Sequence, residues 1–495
     1  MTQTAHYARK NSGILWLIGI LAFSTILRLA FIHEPLNRDE GQYAAIAQNI
    51  LHGGLPYRDA IEIKPPGAFY LYALAIGLFG ATTEAIRLFT ALYALLTVLA
   101  VYGAARHISG NRAGLFAALV YGVCSTFPQI EGSSSNTEVF LVLPLTAGMW
   151  FLLKALETRK RAYLCWCGAC AGLAMLVKPV ALPVVILEFL LIASAGFGAE
   201  RWRKVAVDLA AFIMPAIACA AATLAYFHLR GGLSDFLYWT VDFPRNYKAS
   251  AIEGPPLGFI LSLIASSLEF PVMCGIPAAV WIAMKKRNVA SALPLLMILA
   301  TAVAITLPGK YFQHYFITIV PFLAISAGIG IAHIPELPRA GAGLAILAAC
   351  VAAWFAVTPN IGFYTSDSPE TVSFKKYDER TFAQSVRVAQ YLREHTRPND
   401  SIFQWGMEPE LYFLADRRCP NPYLVSLLPG WSKDPQQAVT RLAESLVRNK
   451  PRYIVIQPSW SDFAGARELA EIIRKGYREE TRMEYALIFR YTGPE

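Results

Sequence analysis

Charge is what this 495-residue chain has least of: Asp, Glu, Lys and Arg make up 16% of it, against ~25% in a soluble domain. That deficit excludes an ordinary soluble enzyme. A hydrophobic share of 55% and a mean hydropathy of +0.41 exclude a disordered or fibrous chain. Cysteine numbers eight, and seven of these lie in or beside apolar runs. Cys165, Cys167 and Cys170 have metal-like spacing but fall inside an apolar stretch, so they are expected to be small core residues. Only Cys419 lies in a segment of soluble character, and no partner is evident for it. Also missing are a P-loop, a zinc-protease helix and a serine-nucleophile elbow. No internal repeat or low-complexity stretch is present, which weighs against a secondary transporter. The first apolar run is too long for a removed signal peptide and lacks its cleavage site.

What the chain does have is apolar runs. A membrane-spanning helix needs about 20 such residues. Runs near 14–32, 84–105, 113–130, 137–156, 163–178, 181–198, 205–228, 258–284, 289–308, 314–333 and 339–357 give about eleven spans. Lys and Arg exceed Asp and Glu by 44 − 35 = 9. The surplus sits mostly in short linkers and the C-terminal region, so it signals topology rather than nucleic acid. Arg9 and Lys10, Arg106 and Arg112, Arg159 to Arg161, Arg201 to Lys204 and Lys285 to Arg287 all fall on one side when spans are counted. By the positive-inside rule that side is the cytoplasm. The opposite side then receives 33–83, 131–136, the turn at Lys178-Pro179, 229–257, 308–313 and 358–495.

Residues 66–80 are apolar but too short to span, and counting them would invert every later loop. They are expected to form an interfacial or re-entrant helix inside the outer loop 33–83, which is long enough to be functional. Beyond about 360 the charge density rises. Residues 381–396, 434–448 and 463–475 have helical periodicity, while 401–405 and 453–457 look like short buried strands. The expected fold is a polytopic α-helical membrane domain at 1–357, including loop 33–83, followed by an extracytoplasmic α/β domain at 358–495.

The first outer loop carries the densest chemistry. Asp39 and Glu40 open an apparent helix at 39–51. Asn37 and Glu40 have capping-box spacing, which accounts for Glu40 and leaves Asp39 as the better catalytic candidate. Lys64, stiffened by Pro65 and Pro66, sets a cation near the next helix. It suits a phosphate, or is simply a snorkelling lysine. Arg58 precedes it. Glu138 is a second acidic candidate, although Ser135 and Glu138 also fit a capping box. Further along, PGKYFQHYF supplies Lys310, Tyr311, Gln313 and His314. His314 is a candidate metal ligand or acid–base group, or is merely hydrogen-bonded. A carboxylate can take a proton from an acceptor hydroxyl, and cations or a divalent metal can stabilise a departing phosphate. The competing readings are a secondary transporter or lipid flippase, and a non-catalytic scaffold.

The order RDEGQYA, KPPGAFY, TEVFLVLP, LAMLVKPVALP and KYFQHYFITIVPFLAI resembles the GT-C superfamily of polytopic glycosyltransferases. The nearest branch is the bacterial one related to protein O-mannosyltransferases and the lipid A aminoarabinose transferase. The resemblance covers roughly 14–357. It implies an inverting transferase at the bacterial inner membrane that uses a polyprenyl-phosphate sugar. Its acceptor is a hydroxyl of a protein, lipid or glycan on the outer face. Asp39 matches the family's catalytic acidic position, Glu40 its neighbour, and Glu138 a weaker acidic position in a later span, and these three are the candidate catalytic residues. Lys64 matches the lysine near the donor phosphate, with Arg58, Lys310 and Tyr311 as further phosphate ligands. The lipid A branch holds a metal between a glutamate directly before the lysine and a distant histidine. Here Ile63 takes the glutamate's place and Glu62 stands one position earlier, so Glu62 and His314 are the expected ligands of any divalent metal.

Overall fold

The structure is a computed structural model that describes residues 2–194, 201–246, 258, 268–336, 339–458 and 463–493. Part of the run at 258–284 and part of the loop at 229–257 lie outside the described residues. Two compact units are present. The first comprises Met1–Ile32, Arg87–Thr223 and Ala251–Asp367, and the second His33–Ile86, Leu224–Ser250 and Ser368–Glu495.

The first unit is helical. Its elements include Thr2–Leu29, Thr137–Thr158, Arg161–Val177, Leu182–Ser194, Glu269–Lys286, Val289–Thr306, Val320–His333 and Arg339–Val357, each built on an apolar run. The runs at 84–105 and 113–130 form one 42-residue helix, Thr83–Cys124, broken at Ser109 and Gly110. Gly110 has φ 84°, a conformation that costs glycine least, and Arg106 and Arg112 flank the break. The 314–333 run opens as a 3₁₀ turn, Gln313–Ile319, before its α-helix. Among the described residues five helices are long and apolar enough to cross a membrane: Thr83–Cys124, Thr137–Thr158, Trp202–Leu229, Val289–Thr306 and Gln313–Glu336. Large apolar side chains such as Trp16, Met214 and Leu299 point outward, as a lipid surrounding permits. Inside the unit, a Cβ on Gly168 would meet the Phe212 carbonyl at 1.8 Å, so Arg161–Val177 and Arg201–Leu229 approach at the backbone. Small residues at helix contacts are how membrane helices pack closely. Of the clustered cysteines, Cys167 is buried as expected, while Cys165 is exposed.

The second unit contains the helices Arg38–Leu51 and Gly67–Phe79, the latter being the short apolar helix expected at 66–80. It also holds a four-stranded sheet of β1 (Ile402–Trp405), β2 (Tyr453–Ile456), β3 (Tyr477–Met483) and β4 (Ala486–Tyr491), in the order β1-β2-β4-β3. β1 and β2 are parallel, joined through the helix Pro435–Asn449, and β4 runs antiparallel to both β2 and β3. Phe403, Trp405, Leu442, Leu446, Ile454 and Leu469 form the core against this sheet. The helices Thr381–Glu394 and Ala466–Gly476 and the strands β1 and β2 match their sequence expectations. β3 and β4 went unread. β3 is YREETRM, a charged edge strand with one fully buried residue, and it has no hydrophobic run to detect.

Candidate functional site

Asp39 sits in the first turn of Arg38–Leu51. The Asn37 side chain accepts from the Glu40 backbone N–H at 2.9 Å, and the Glu40 carboxylate accepts from the Asn37 N–H at 3.0 Å. This is the capping box that the sequence suggested, and it commits the buried Glu40 to the helix end. Gly41 explains the glycine of RDEGQYA. A Cβ there would lie 2.3 Å from the Glu410 side chain and 2.6 Å from its Cα. The segment Glu410–Ala415 therefore packs directly on the helix that carries Asp39. Arg38 ties the same turn down, donating to the Met407 carbonyl at 2.7 Å and pairing with Glu379 at 3.4 Å.

Lys64 reaches this turn from the end of the first loop. Its ammonium donates to Asp39 Oδ2 at 2.8 Å and to the Tyr43 hydroxyl, and it lies 4.8 Å from the centre of the Tyr43 ring. Tyr43 also donates to Asp39 Oδ2, at 3.3 Å. Tyr43 is one helical turn beyond Asp39, so both present to the same cation. The backbone at Lys64 is anchored by the Tyr57 hydroxyl, which donates to the Lys64 carbonyl at 2.8 Å. Glu62 is buried, and its Oε1 accepts from the Ile63 and Lys64 N–H groups at 2.8 and 3.3 Å. Burial raises the Glu62 carboxyl above its ordinary value, opposed by the Lys64 charge and reinforced by Asp39. Side-chain exposures of 39% for Asp39 and 22% for Lys64 leave the pair open to a ligand. Arg58 does not join them. Its guanidinium is held by Asp59 at 2.8 and 3.0 Å, and it donates to the Arg230 carbonyl at 3.3 Å.

Glu138 and His314 belong to the first unit. The helix begins at Thr137 with Asn136 as N-cap, so Glu138 is one position short of a capping box, and Ser135 instead accepts from Thr90 at 2.8 Å. The Ser135–Glu138 cap expected from the sequence is thus not formed. Glu138 pairs with Lys178, and both are buried. The Lys178 ammonium also lies 4.0 Å from the centre of the Tyr315 ring. Lys178 follows the helix Arg161–Val177 in a turn, as expected, and its side chain is buried while Pro179 of the same turn is exposed. His314 Nδ1 is 3.3 Å from Glu131, and its ring stacks on Phe312 at 5.7 Å. Lys310 and Tyr311, both half-buried, occupy the connection between Val289–Thr306 and the 3₁₀ turn.

Glu62 Oε1 accepts from its own backbone, and His314 Nδ1 meets Glu131. Among the described residues no group of three or more His, Cys, Asp or Glu could hold an ion. No chemical step is therefore routed through one.

Sequence reasoning missed Tyr43, Glu131 and Glu410. The i, i+4 spacing of Asp39 and Tyr43 was a usable signal. Glu131 adopts φ 54° in an irregular loop and left none.

Comparison with known proteins agrees with this architecture. Residues 63–225 match the family model described as dolichyl-phosphate-mannose-protein mannosyltransferase. The undecaprenyl phosphate-alpha-4-amino-4-deoxy-L-arabinose arabinosyl transferase 2 of Proteus mirabilis is 25% identical over 291 residues, covering 56% of this chain and 50% of the relative. The corresponding transferase of Pseudomonas paraeruginosa is 26% identical over 274 residues, 52% of this chain and 48% of the relative. The chain thus spans about half the length of the curated relatives it matches. Among solved structures, ArnT from Cupriavidus metallidurans bound to undecaprenyl phosphate superposes with a TM-score of 0.67 at 18% identity, covering 96% of this chain and 97% of that one. The archaeal oligosaccharyltransferase AglB from Archaeoglobus fulgidus, in complex with an inhibitory peptide and a dolichol-phosphate, gives 0.55 at 14% identity, over 97% and 74%. The chain has the GT-C fold of polytopic helical membrane glycosyltransferases, and it resembles the arabinosyl transferases and O-mannosyltransferases as its motifs suggested.

Proposed function

We propose that this chain is a membrane glycosyltransferase that moves a sugar from a polyprenyl-phosphate donor to an acceptor hydroxyl, with inversion at the anomeric carbon. One observation carries the reading: a partly exposed carboxylate and a partly exposed ammonium, Asp39 and Lys64, are held in contact at the tip of a capped helix. Such a pair contributes little to stability, so its arrangement is better explained by a ligand than by folding.

In the proposed reaction the donor phosphate takes the Lys64 ammonium, a charge-assisted contact. Asp39 Oδ2 then loses that contact and accepts the proton of the acceptor hydroxyl. The acceptor oxygen bonds to the anomeric carbon from the face opposite the phosphate. The carbon–oxygen bond to the phosphate breaks, and polyprenyl phosphate leaves with the electron pair, its charge met by Lys64. Tyr43 and the Glu62 backbone contacts orient the two groups. Glu138 and Lys178 are assigned to the frame that holds the first unit. The similarity to proteins named for undecaprenyl-phosphate and mannose donors supports the donor class. By the positive-inside count the reaction takes place at the outer face of a bacterial inner membrane. Pentose or hexose is left to the experiment.

The test is to incubate purified protein, with membrane extract as a source of acceptor, with radiolabelled polyprenyl-phosphate pentoses and hexoses. Sugar leaving the lipid with wild type, and not with Asp39→Asn, is the expected result. Equal release by both would move the base elsewhere, and no release from any donor would return the transporter and scaffold readings.

A further inference from the structure

The second unit contains a cavity of about 670 Å³ that neither Asp39 nor Lys64 lines. Three stretches of chain build it: Tyr57 to Ile61 of the first loop, the segment around Tyr238, and residues 421–441. Its volume is that of a small-molecule site rather than a surface dimple. The wall combines aromatic and polar side chains. Tyr238, Trp239 and Tyr423 supply rings, and Arg58, Asp235, Gln437 and Arg441 supply charge and hydrogen bonds.

These groups are held before any ligand arrives. Tyr238 and Trp239 meet edge to face at 4.9 Å, and Trp239 packs on Phe243 at 5.2 Å. The Tyr238 hydroxyl accepts from the Lys433 N–H at 2.7 Å. Arg58 is clamped flat by both Asp59 oxygens. The first loop is tied to the far wall where the Ile61 N–H donates to the Pro422 carbonyl at 2.9 Å. The segment Tyr238–Asp242 winds as a π-helix, a form found often at functional sites. On the third wall the Asn421 Oδ1 accepts from the Tyr423 N–H at 2.8 Å. The Asn421 Nδ2 is buried with no hydrogen-bond partner, leaving a donor in reserve.

The wall selects among ligand classes. A lipid tail finds too many polar groups. A polyphosphate needs a clear cationic excess, whereas here Asp235 and Asp434 offset most of Arg58, Lys433 and Arg441. A sugar ring fits both halves of the chemistry. Its C–H groups suit contact with aromatic rings, and its vicinal hydroxyls accept from guanidinium and carboxamide N–H groups and donate to carboxylates. We propose that this cavity binds a short oligosaccharide.

The test is equilibrium binding without donor. The full chain in detergent micelles is titrated with fluorescently labelled maltohexaose, chitohexaose and linear mannohexaose, and with a labelled unstructured peptide as the contrast. Saturable binding of at least one oligosaccharide is expected. It should weaken at least tenfold in Arg441→Ala and in Gln437→Ala, two exposed positions whose truncation leaves the fold intact by melting temperature. Binding of none of the three sugars, binding indifferent to both substitutions, or saturation by the peptide alone would overturn the proposal. Because no donor is present, failure of the transferase reading would leave this binding in place.

Discussion

Two of the lysine–carboxylate pairs, one from each unit, differ most in exposure. Glu138 and Lys178 retain 1% and 9% of their side-chain surface, whereas Asp39 and Lys64 retain 39% and 22%. A buried pair cannot lose one partner without stranding a desolvated charge, which costs about 3–5 kcal/mol. A partly exposed pair breaks for less, about 1 kcal/mol, because water can replace the lost contact. The first therefore suits a frame and the second suits a site where a ligand must displace one partner.

The comparison breaks most visibly under truncation of each lysine. Lys64→Ala is expected to lower transfer by about 100-fold or more with stability changed by less than about 1 kcal/mol. Lys178→Ala should destabilise the fold by roughly 3–5 kcal/mol. Transfer assays on matched folded fractions, with melting curves alongside, check both. A loss of stability for Lys64→Ala like that of Lys178→Ala would erase the distinction.

A smaller effect concerns the support beneath Asp39. Gly41→Ala forces a methyl into the Glu410 backbone and should cost about 1–3 kcal/mol. Leu51→Ala, at an exposed position of the same helix, should cost far less, and thermal unfolding of both variants compares them.

The same support has a pH signature. Burial pushes the Glu408 carboxyl up to about 8 and Glu410 to about 7, Glu408 being raised further by its neighbour Glu410. Both values lie above the ordinary glutamate range near 4.3. The folded chain therefore holds protons that the unfolded chain has released, and these groups' stabilisation is present in full below that range. It is lost as pH rises through about 7 to 8. Melting temperature should fall between pH 5 and pH 9, by roughly 1–3 kcal/mol of stability. Glu408→Gln should flatten that slope, and an unchanged slope would remove these carboxyls from the account.

The smallest expected effect is that of a chelator. Side-chain cations carry the phosphate in the proposed reaction, so turnover in excess EDTA should stay within about twofold of the untreated rate. A large loss restored by added divalent ion would reinstate the metal expected at Glu62 and His314.

Most of the helical framework was legible because long apolar runs in a lipid-facing chain have few alternatives to helix. The Asn37–Glu40 cap and the Lys64-Pro65-Pro66 approach were legible because each is local. Long-range pairings were not. Glu138 finds Lys178 across forty positions, a separation that local spacing cannot bridge. The Glu131–His314 contact had no signal, and β3 was hidden by its charge. The cap proposed at Ser135 failed by one position, a shift that spacing alone cannot detect.

The most direct measurement is the single-turnover rate of sugar transfer per folded molecule in Asp39→Asn and in Glu138→Gln, each beside its melting temperature. The account predicts that Asp39→Asn melts like wild type and transfers about 10²–10⁴ times more slowly. It predicts that Glu138→Gln melts lower but transfers at close to the wild-type rate per folded molecule. A normal rate in Asp39→Asn, or an abolished rate in well-folded Glu138→Gln, would contradict it by placing the chemistry at the buried pair.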